Sequence, residues 1–319
     1  MKHLFRQDFE GFKVAVATPR SLPSSELLQG RVIILDLAFA HSKPIGRYPS
    51  ITHKLIDRLG DRLALFLDHH DSDFHDSFAD DPRFILATKA QHGACPEMIT
   101  RSMVERIGLV DTILCHGDFD GIASAAKWIR SGVEPYQGCD HDAWCVDTRL
   151  DRPSPIGLLM DRALRADHRD PIIKEKVLRF LLSGGEDQNL KSSLAEIGEE
   201  TRFLEERAES IAVRYQVLSE KVAFVDVRDI KLTYDKTHLL LCGQGLAKIA
   251  VVLDESSVTF AAPFNSGLNF LNLFQVSGGM PTVLSLPPHR CRGALTLLGV
   301  TPQIAKSLSS GTEKSSERS

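Results

Sequence analysis

Four places in this chain carry residues that could do chemistry together. Asp68-His69-His70 follows the apolar run 63–67, and His116-Gly117-Asp118-Phe119-Asp120-Gly121 follows the strand-like stretch Val110-Asp-Thr-Ile-Leu-Cys115. Asp36 closes Arg31-Val-Ile-Ile-Leu-Asp36, and Asp147 closes Ala143-Trp-Cys-Val-Asp147. A single acid after an apolar run is commonplace, because turns favour Asp. Four such endings, joined by helical segments, predict convergence on one edge of a parallel sheet, where open α/β folds build their sites. Asp36, Asp68, His69, His70, His116, Asp118, Asp120 and Asp147 then make an oxygen-rich set with imidazole. That set suits manganese or magnesium better than structural zinc, whose closed sites prefer Cys. A carboxylate touching two such ions lets the pair clamp a phosphate, lower the pKa of a bound water and stabilise a leaving oxygen.

Each of these residues also has a plain reading. Any one Asp is a turn residue or a helix N-cap, and any one His is a packed or surface imidazole. The two motifs on separate strands are what outweigh it. Gly121 either turns the backbone so that a helix N-terminus faces a phosphate, or is ordinary turn chemistry. Asp140-His141-Asp142 reads as a loop, since no apolar strand precedes it. His75, His92, His168 and His289 read as surface residues.

The elements that must position the acids follow from the pattern. Strands are expected near 12–17, 31–36, 63–68, 84–87 and 110–115. Helices are expected over 50–59 (Ser50 as N-cap, Gly60 as stop), 96–107 (closed by Gly108), 122–130, 156–166 and 171–182. Residues 143–147 read as a further short apolar piece ending in an acid. From 194 to 219 the chain is charged with an apolar stripe, which predicts a long exposed helix. It reads as an interdomain strut, with pairing to a second copy, a homodimer, as the alternative. Residues 222–227, 238–242, 248–253 and 258–262 are β-like. The Ser-, Lys- and Glu-rich end reads as disordered.

Composition bounds the function. The 319 residues, 43 % hydrophobic, allow two domains with real cores. A net charge of −4 argues against a grip on duplex DNA, which calls for a basic surface. A small anionic substrate held by metal and local cations remains open. No apolar run is long enough to span a membrane. The six cysteines form no CxxC pair and no signal peptide is evident, which predicts reduced thiols in a cytoplasmic protein.

At Asp68-His69-His70 and at His116-Gly-Asp118-Phe-Asp120-Gly121-Ile-Ala-Ser-Ala the chain resembles the DHH phosphoesterase superfamily. The resemblance is specific over residues 30–165 and weak beyond 220. It implies an α/β fold: a parallel Rossmann-like sheet, a helical linker and a smaller α+β C-terminal domain that closes over the substrate. The matching ranges here are 1–170 for the metal-binding catalytic domain, 171–219 for the linker, 220–306 for the substrate-binding domain and 307–319 for a disordered tail. The resemblance also implies two manganese ions, with magnesium as the alternative. Carried over, Asp36 is the bridging carboxylate, Asp118 serves the first metal, and Asp120, His69 and Asp147 serve the second. Asp68 orients its neighbours and His70 faces the substrate phosphate. Ser277, Gly278 and Gly279 match the family's glycine-rich substrate loop, and Arg149 is a candidate substrate cation.

Three departures stand beside the match. The Asp-x-Asp-Gly motif follows the Asp-His-His motif instead of preceding it, which a circular permutation of the sheet would reconcile. His116 stands two residues before its motif, where the family more often has a His four residues before, here Leu114. Met280 replaces the family's usual loop His. The implied activity is hydrolysis of phosphodiester bonds in short or cyclic oligonucleotides by a two-metal mechanism. The alternatives are a pyrophosphatase or exopolyphosphatase, for which Lys127, Arg149, Arg152, His289, Arg290 and Arg292 are candidate cations, and a catalytically silent nucleotide-binding regulator.

Overall fold

The computed structural model describes residues 8–40, 48–276 and 281–309, the last without its side chain. The chain forms two compact units, residues 1–200 and 201–319.

In the first unit the strands are β1 (Lys13–Ala17), β2 (Val32–Leu35), β3 (Leu63–Asp68), β4 (Phe84–Leu86) and β5 (Thr112–His116). They lie in the order β1-β5-β2-β3-β4, with every pairing parallel. Val-Ile-Ile-Leu of β2 and all six residues of β3 are buried, as a sheet covered on both faces requires. Alternate residues feed two cores. Ile33, Leu35, Leu65, Leu67, Ile113 and Cys115 face one, and Val32, Ile34, Phe66 and Leu114 face the other. Burying each large aliphatic or aromatic side chain contributes about 1.5–3 kcal/mol.

Helices α1 (Lys54–Leu59), α2 (Arg101–Ile107), α3 (Phe119–Ile129), α4 (Cys139–Thr148), α5 (Pro155–Ala166) and α6 (Pro171–Leu182) complete this unit, and α7 (Gln188–Ala212) begins in it and ends in the second. Helix α1 follows β2 and packs Leu55, Ile56 and Leu59 on one face of the sheet. Helix α3 follows β5 and packs Ile122 and Ala126 on the other. Because β2 and β5 are neighbours whose following helices depart to opposite faces, a crevice opens beyond their carboxyl ends.

The second unit holds a sheet in the order β10-β9-β8-β7-β6, formed by β6 (Gln216–Ser219), β7 (Val222–Asp226), β8 (Ile249–Leu253), β9 (Val258–Ala261) and β10 (Val283–Leu286). Only β7 and β8 pair in parallel. Helices α8 (Lys236–Gln244), α9 (Phe270–Phe274), α10 (Cys291–Leu297) and α11 (Pro302–Ser309) accompany it. Phe224, Phe260 and Phe270 anchor its main core.

Several local expectations change. Residues 143–147 are not a strand end: they lie within α4, so only three of the four acids follow strands. The loop expected at 140–142 is the first turn of the same helix, which Gly138 enters with φ +88°. Residues 238–242 are helical in α8, where the Asp235 side chain caps His238 N–H at 2.9 Å. The helix expected over 194–219 runs instead over 188–212, and 216–219 turns back as β6. Ser50 does not cap its helix, which is entered through Tyr48 and Pro49. Residues 171–182 form α6, whose Ile173, Val177, Leu178 and Phe180 belong to the core of the first unit. Of the tail expected at 307–319, residues 307–309 end α11 and 310–319 lie outside the described residues. Among the described residues, no helix is long and apolar enough to cross a membrane.

Candidate metal centre

Strand register brings the first of these residues together. Leu35 of β2 pairs with Cys115 of β5 on one side and Leu67 of β3 on the other. The next residue along each strand is therefore Asp36, His116 or Asp68, and these come level. Asp36 sits in the middle, its amide donating to Leu67 O at 2.9 Å. Its φ is +54°, a left-handed backbone that Asp tolerates better than most residues but that still carries strain. Asp118 caps α3, accepting from Gly121 N–H at 3.4 Å, and Asp120 follows in the first turn. Asp147 arrives from α4.

The carboxylate of Asp36 is fully buried, and neither of its oxygens has a hydrogen-bond partner. One oxygen, Oδ1, lies 3.1 Å from His69 Nε2 and 3.8 Å from His70 Nδ1. The other, Oδ2, lies 3.9 Å from His116 Nδ1, which in turn is 2.6 Å from Asp118 Oδ2. His69 Nε2 also stands 3.3 Å from Asp120 Oδ2 and 3.9 Å from Asp147 Oδ2. Three groups of donors thus close to within 4.8 Å: Asp36 with His116 and Asp118, Asp36 with His69 and His70, and His69 with Asp120 and Asp147.

The protonation states say what these residues are suited to hold. His69 Nδ1 is 2.9 Å from the carbonyl of His92, so Nδ1 carries a hydrogen and donates it. That leaves Nε2 facing the carboxylates, aligned as a hydrogen-bond donor to none of them. Imidazole ligands of metals are held in this way, with the far nitrogen fixed by a backbone carbonyl. Two donors about 2.1 Å from one octahedral ion stand about 3 Å apart, which is the His69–Asp36 and His69–Asp120 spacing. Burial, then the charges of Asp120, Asp118, Asp68 and Asp147, hold the Asp36 carboxyl well above its ordinary range. Burial alone would lower the two imidazoles; the acids outweigh it, carrying His69 to about 8 through Asp120 and His116 to about 9 through Asp118. Five carboxylates at one point, one of them dry and unpartnered, are costly unless cations join them. The residues fit a pair of divalent ions.

Asp68 and His70 form a separate pair. Asp68 Oδ1 is 2.9 Å from His70 Nδ1; Asp68 is buried, while the His70 side chain keeps 27 % exposure. Gly121 is a matter of space, not of backbone conformation. Its φ is not left-handed, but a Cβ there would lie 2.6 Å from the His116 carbonyl oxygen and 2.9 Å from Asp36 Oδ2.

Two cations escaped the sequence pattern. Lys89, from an aperiodic loop, reaches Asp147 Oδ2 at 2.5 Å. Burial and Asp120 still push the Asp147 carboxyl up in spite of it. Lys174, on α6, packs against Gly117, where a Cβ would meet its Nζ at 2.7 Å, and burial lowers its pKa. No sequence signal marked Lys89; the one for Lys174 was a lone cation on an otherwise apolar helix face. Other candidates are engaged elsewhere. Arg149 pairs with Asp161 at 3.3 Å, and Lys127 pairs with Asp140 and donates to Pro96 O. Arg290 and Arg292 belong to the second unit. Ser277, Gly278, Gly279 and Met280 lie outside the described residues.

No family model matches this chain, and no curated protein matches it at significance. Solved structures with some likeness include the pGpG-specific phosphodiesterase PggH of Vibrio cholerae, with a TM-score of 0.42 and 11 % identity over 88 % of this chain and 99 % of that one. Another is the exonuclease RecJ bound to manganese, with a TM-score of 0.43 and 13 % identity over 86 % of this chain and 75 % of that one. Both scores lie below 0.5.

Proposed function

We propose that the chain is a cytoplasmic, divalent-metal-dependent phosphoesterase that hydrolyses phosphodiester bonds of short or cyclic oligonucleotides, with manganese as its ion and magnesium as the alternative. The observation that carries this reading is the central carboxylate. Asp36 is dry, its two oxygens face different His/Asp groups, and neither oxygen is hydrogen-bonded. The Asp68-His69-His70 and Asp118-x-Asp120-Gly121 motifs support the same reading from the sequence. Six unpaired cysteines suit a reducing compartment.

In this assignment Asp36, His116 and Asp118 hold one ion, and Asp36, His69, Asp120 and Asp147 hold the other. When bound, the ions would supply Lewis acidity toward a phosphate oxygen and an acidified water. Asp68 occupies Nδ1 of His70, so Nε2 is the atom His70 can offer to a substrate oxygen as donor or proton source. Lys89 steadies Asp147, and His92 O fixes the ring of His69. Among the described residues, the positive charge beside the acids is modest, Lys89 and Lys174, while Lys127 and Arg149 are tied to other carboxylates. That complement suits a phosphodiester better than the dense charge of pyrophosphate. Substrate holding is assigned to residues 220–306, on the strength of the family resemblance.

The test compares bis-p-nitrophenyl phosphate, a 5′-phosphorylated dinucleotide and pyrophosphate, each with manganese or magnesium. Turnover should be fastest on the dinucleotide and absent in Asp36→Ala. Equal rates for wild type and Asp36→Ala on every substrate would remove the reading.

A further inference from the structure

Helix α4 carries a second set of donors besides Asp147. Asp140 and Asp142 of its first turn are used within the fold: Asp140 takes the ammonium of Lys127, while Asp142 accepts from the Tyr136 hydroxyl at 2.7 Å and the Ser154 amide at 2.6 Å. His141, between them, keeps 60 % exposure. One turn further on, at i+4, stands Cys145. His141 Nε2 is 3.5 Å from Cys145 Sγ and 3.9 Å from Asp151 Oδ2, and the three donor atoms lie within 4.8 Å of one another. The third donor comes from a different segment. The chain reverses at Arg149, which ends α4 in a left-handed conformation at φ +57°, a strained choice for a residue other than glycine. Trp144 stacks on the His141 ring, with centroids 5.8 Å apart and planes 13° from parallel, and so limits its rotation.

We propose that His141, Cys145 and Asp151 form a separate site for one borderline-soft divalent ion, with zinc as the fitting metal. Thiolate, imidazole and carboxylate are zinc's donor set, and three protein ligands leave the fourth tetrahedral position to water. With Zn–S about 2.3 Å and Zn–N about 2.0–2.1 Å, a tetrahedral S···N edge is about 3.5 Å. The Cys145–His141 separation already has that length. The N···O edge would be about 3.4 Å. Closing to it from 3.9 Å asks only for a small shift of Asp151, whose side chain is 64 % exposed. A His and a Cys one helical turn apart touch by chance often enough. A carboxylate delivered onto both by a strained reversal is a far less frequent accident. The two centres would also sort ions by hardness: the three donor groups around Asp36 and His69 contain no sulfur, and this one does. An ion here would fasten the body of α4 to the 149–151 turn.

Titrating metal-free full-length protein with cobalt(II) tests this directly. A sulfur-to-cobalt charge-transfer band should grow to one equivalent per chain and bleach on adding zinc. The donor groups around Asp36 and His69 contain no thiol, so a band that is lost in Cys145→Ser reports this site. Cys145→Ser should abolish it, and Asp36→Asn should leave it intact. His141→Ala should weaken zinc binding by about a hundredfold or more, since even partners of a ligand are worth 10–100-fold. His141→Ala and Asp151→Asn, both at exposed positions, carry the test if the buried Cys145 variant fails to fold. The proposal is overturned by cobalt binding without a sulfur band, by a band that survives Cys145→Ser or vanishes in Asp36→Asn, or by unchanged zinc affinity in His141→Ala.

Discussion

Gly121→Ala separates a spatial requirement from plain helix propensity, because the two predict opposite signs. Gly121 lies in the first turn of α3 with no left-handed φ. On helix propensity alone, alanine there would stabilise the fold by about 1 kcal/mol. The neighbours forbid that gain. The new Cβ would stand 2.6 Å from the His116 carbonyl oxygen and 2.9 Å from Asp36 Oδ2, where ordinary contact begins at 3.4 Å. Opening the backbone contact from 2.6 to 3.4 Å is a shift of about 0.8 Å. The oxygen belongs to β5, which is hydrogen-bonded on both sides, so the shift falls on α3 and on Asp36. Overpacking of this size costs about 1–3 kcal/mol. Misplacing a reacting group by about 1 Å costs about a hundredfold in rate. Gly121→Ala should therefore be less stable by about 1–2 kcal/mol in urea unfolding, bind manganese more weakly, and lose about ten- to a hundredfold in kcat. A variant that is more stable than wild type and equally active would refute the packing argument.

Asp36→Asn should abolish turnover, yet make the metal-free protein more stable by about 1–3 kcal/mol once the pH is high enough to ionise that raised carboxyl, because Asn never carries the unpartnered buried charge; a metal-free variant less stable than wild type at every pH would count against the reading of that carboxylate. His70→Ala should keep both metals by calorimetry and lose about 10²–10⁴-fold in kcat, since its Nδ1 is bound to Asp68 and its role is proton or hydrogen-bond donation. Stabilisation by metal should grow with pH. The pKa values of His69, about 8, and His116, about 9, lie above the ordinary 6.5, so each stabilises the bare fold fully below pH 6.5 and loses that contribution as pH rises through 8 and 9. Asp36, also raised, acts in the same direction. A divalent ion competes with those protons, so the rise in Tm on adding manganese should be larger at pH 8.5 than at pH 6.5. An equal or smaller rise at the higher pH would contradict the assigned ligands.

The strand ends were legible because a parallel sheet buried on both faces writes itself as apolar runs; Asp36 and Asp68 follow such runs directly, and Asp118 stands three residues after Cys115. Asp147 was found for an incomplete reason. Ala143-Trp-Cys-Val is apolar enough for a strand, but Gly138 with its left-handed φ starts a helix that tertiary packing against α3 and α5 sustains. The same override made 238–242 helical: Leu-Leu-Leu-Cys carries no strand alternation, and the deciding signal was the Asp235 cap. Lys89 and the carbonyl of His92 could not be read at all. A loop without periodicity gives no clue to where its side chains end up, and a backbone carbonyl has no sequence signature. The role of Gly121 depends on which atoms lie opposite it, and those come from two other strands.

The most direct measurement is anomalous diffraction from crystals of the full chain grown with manganese. The account predicts two manganese peaks beside Asp36, one ligated by His116 and Asp118 and the other by His69, Asp120 and Asp147, with Asp36 shared between them. A map with no ion on Asp36, or a single ion that leaves either group of ligands empty, would contradict it.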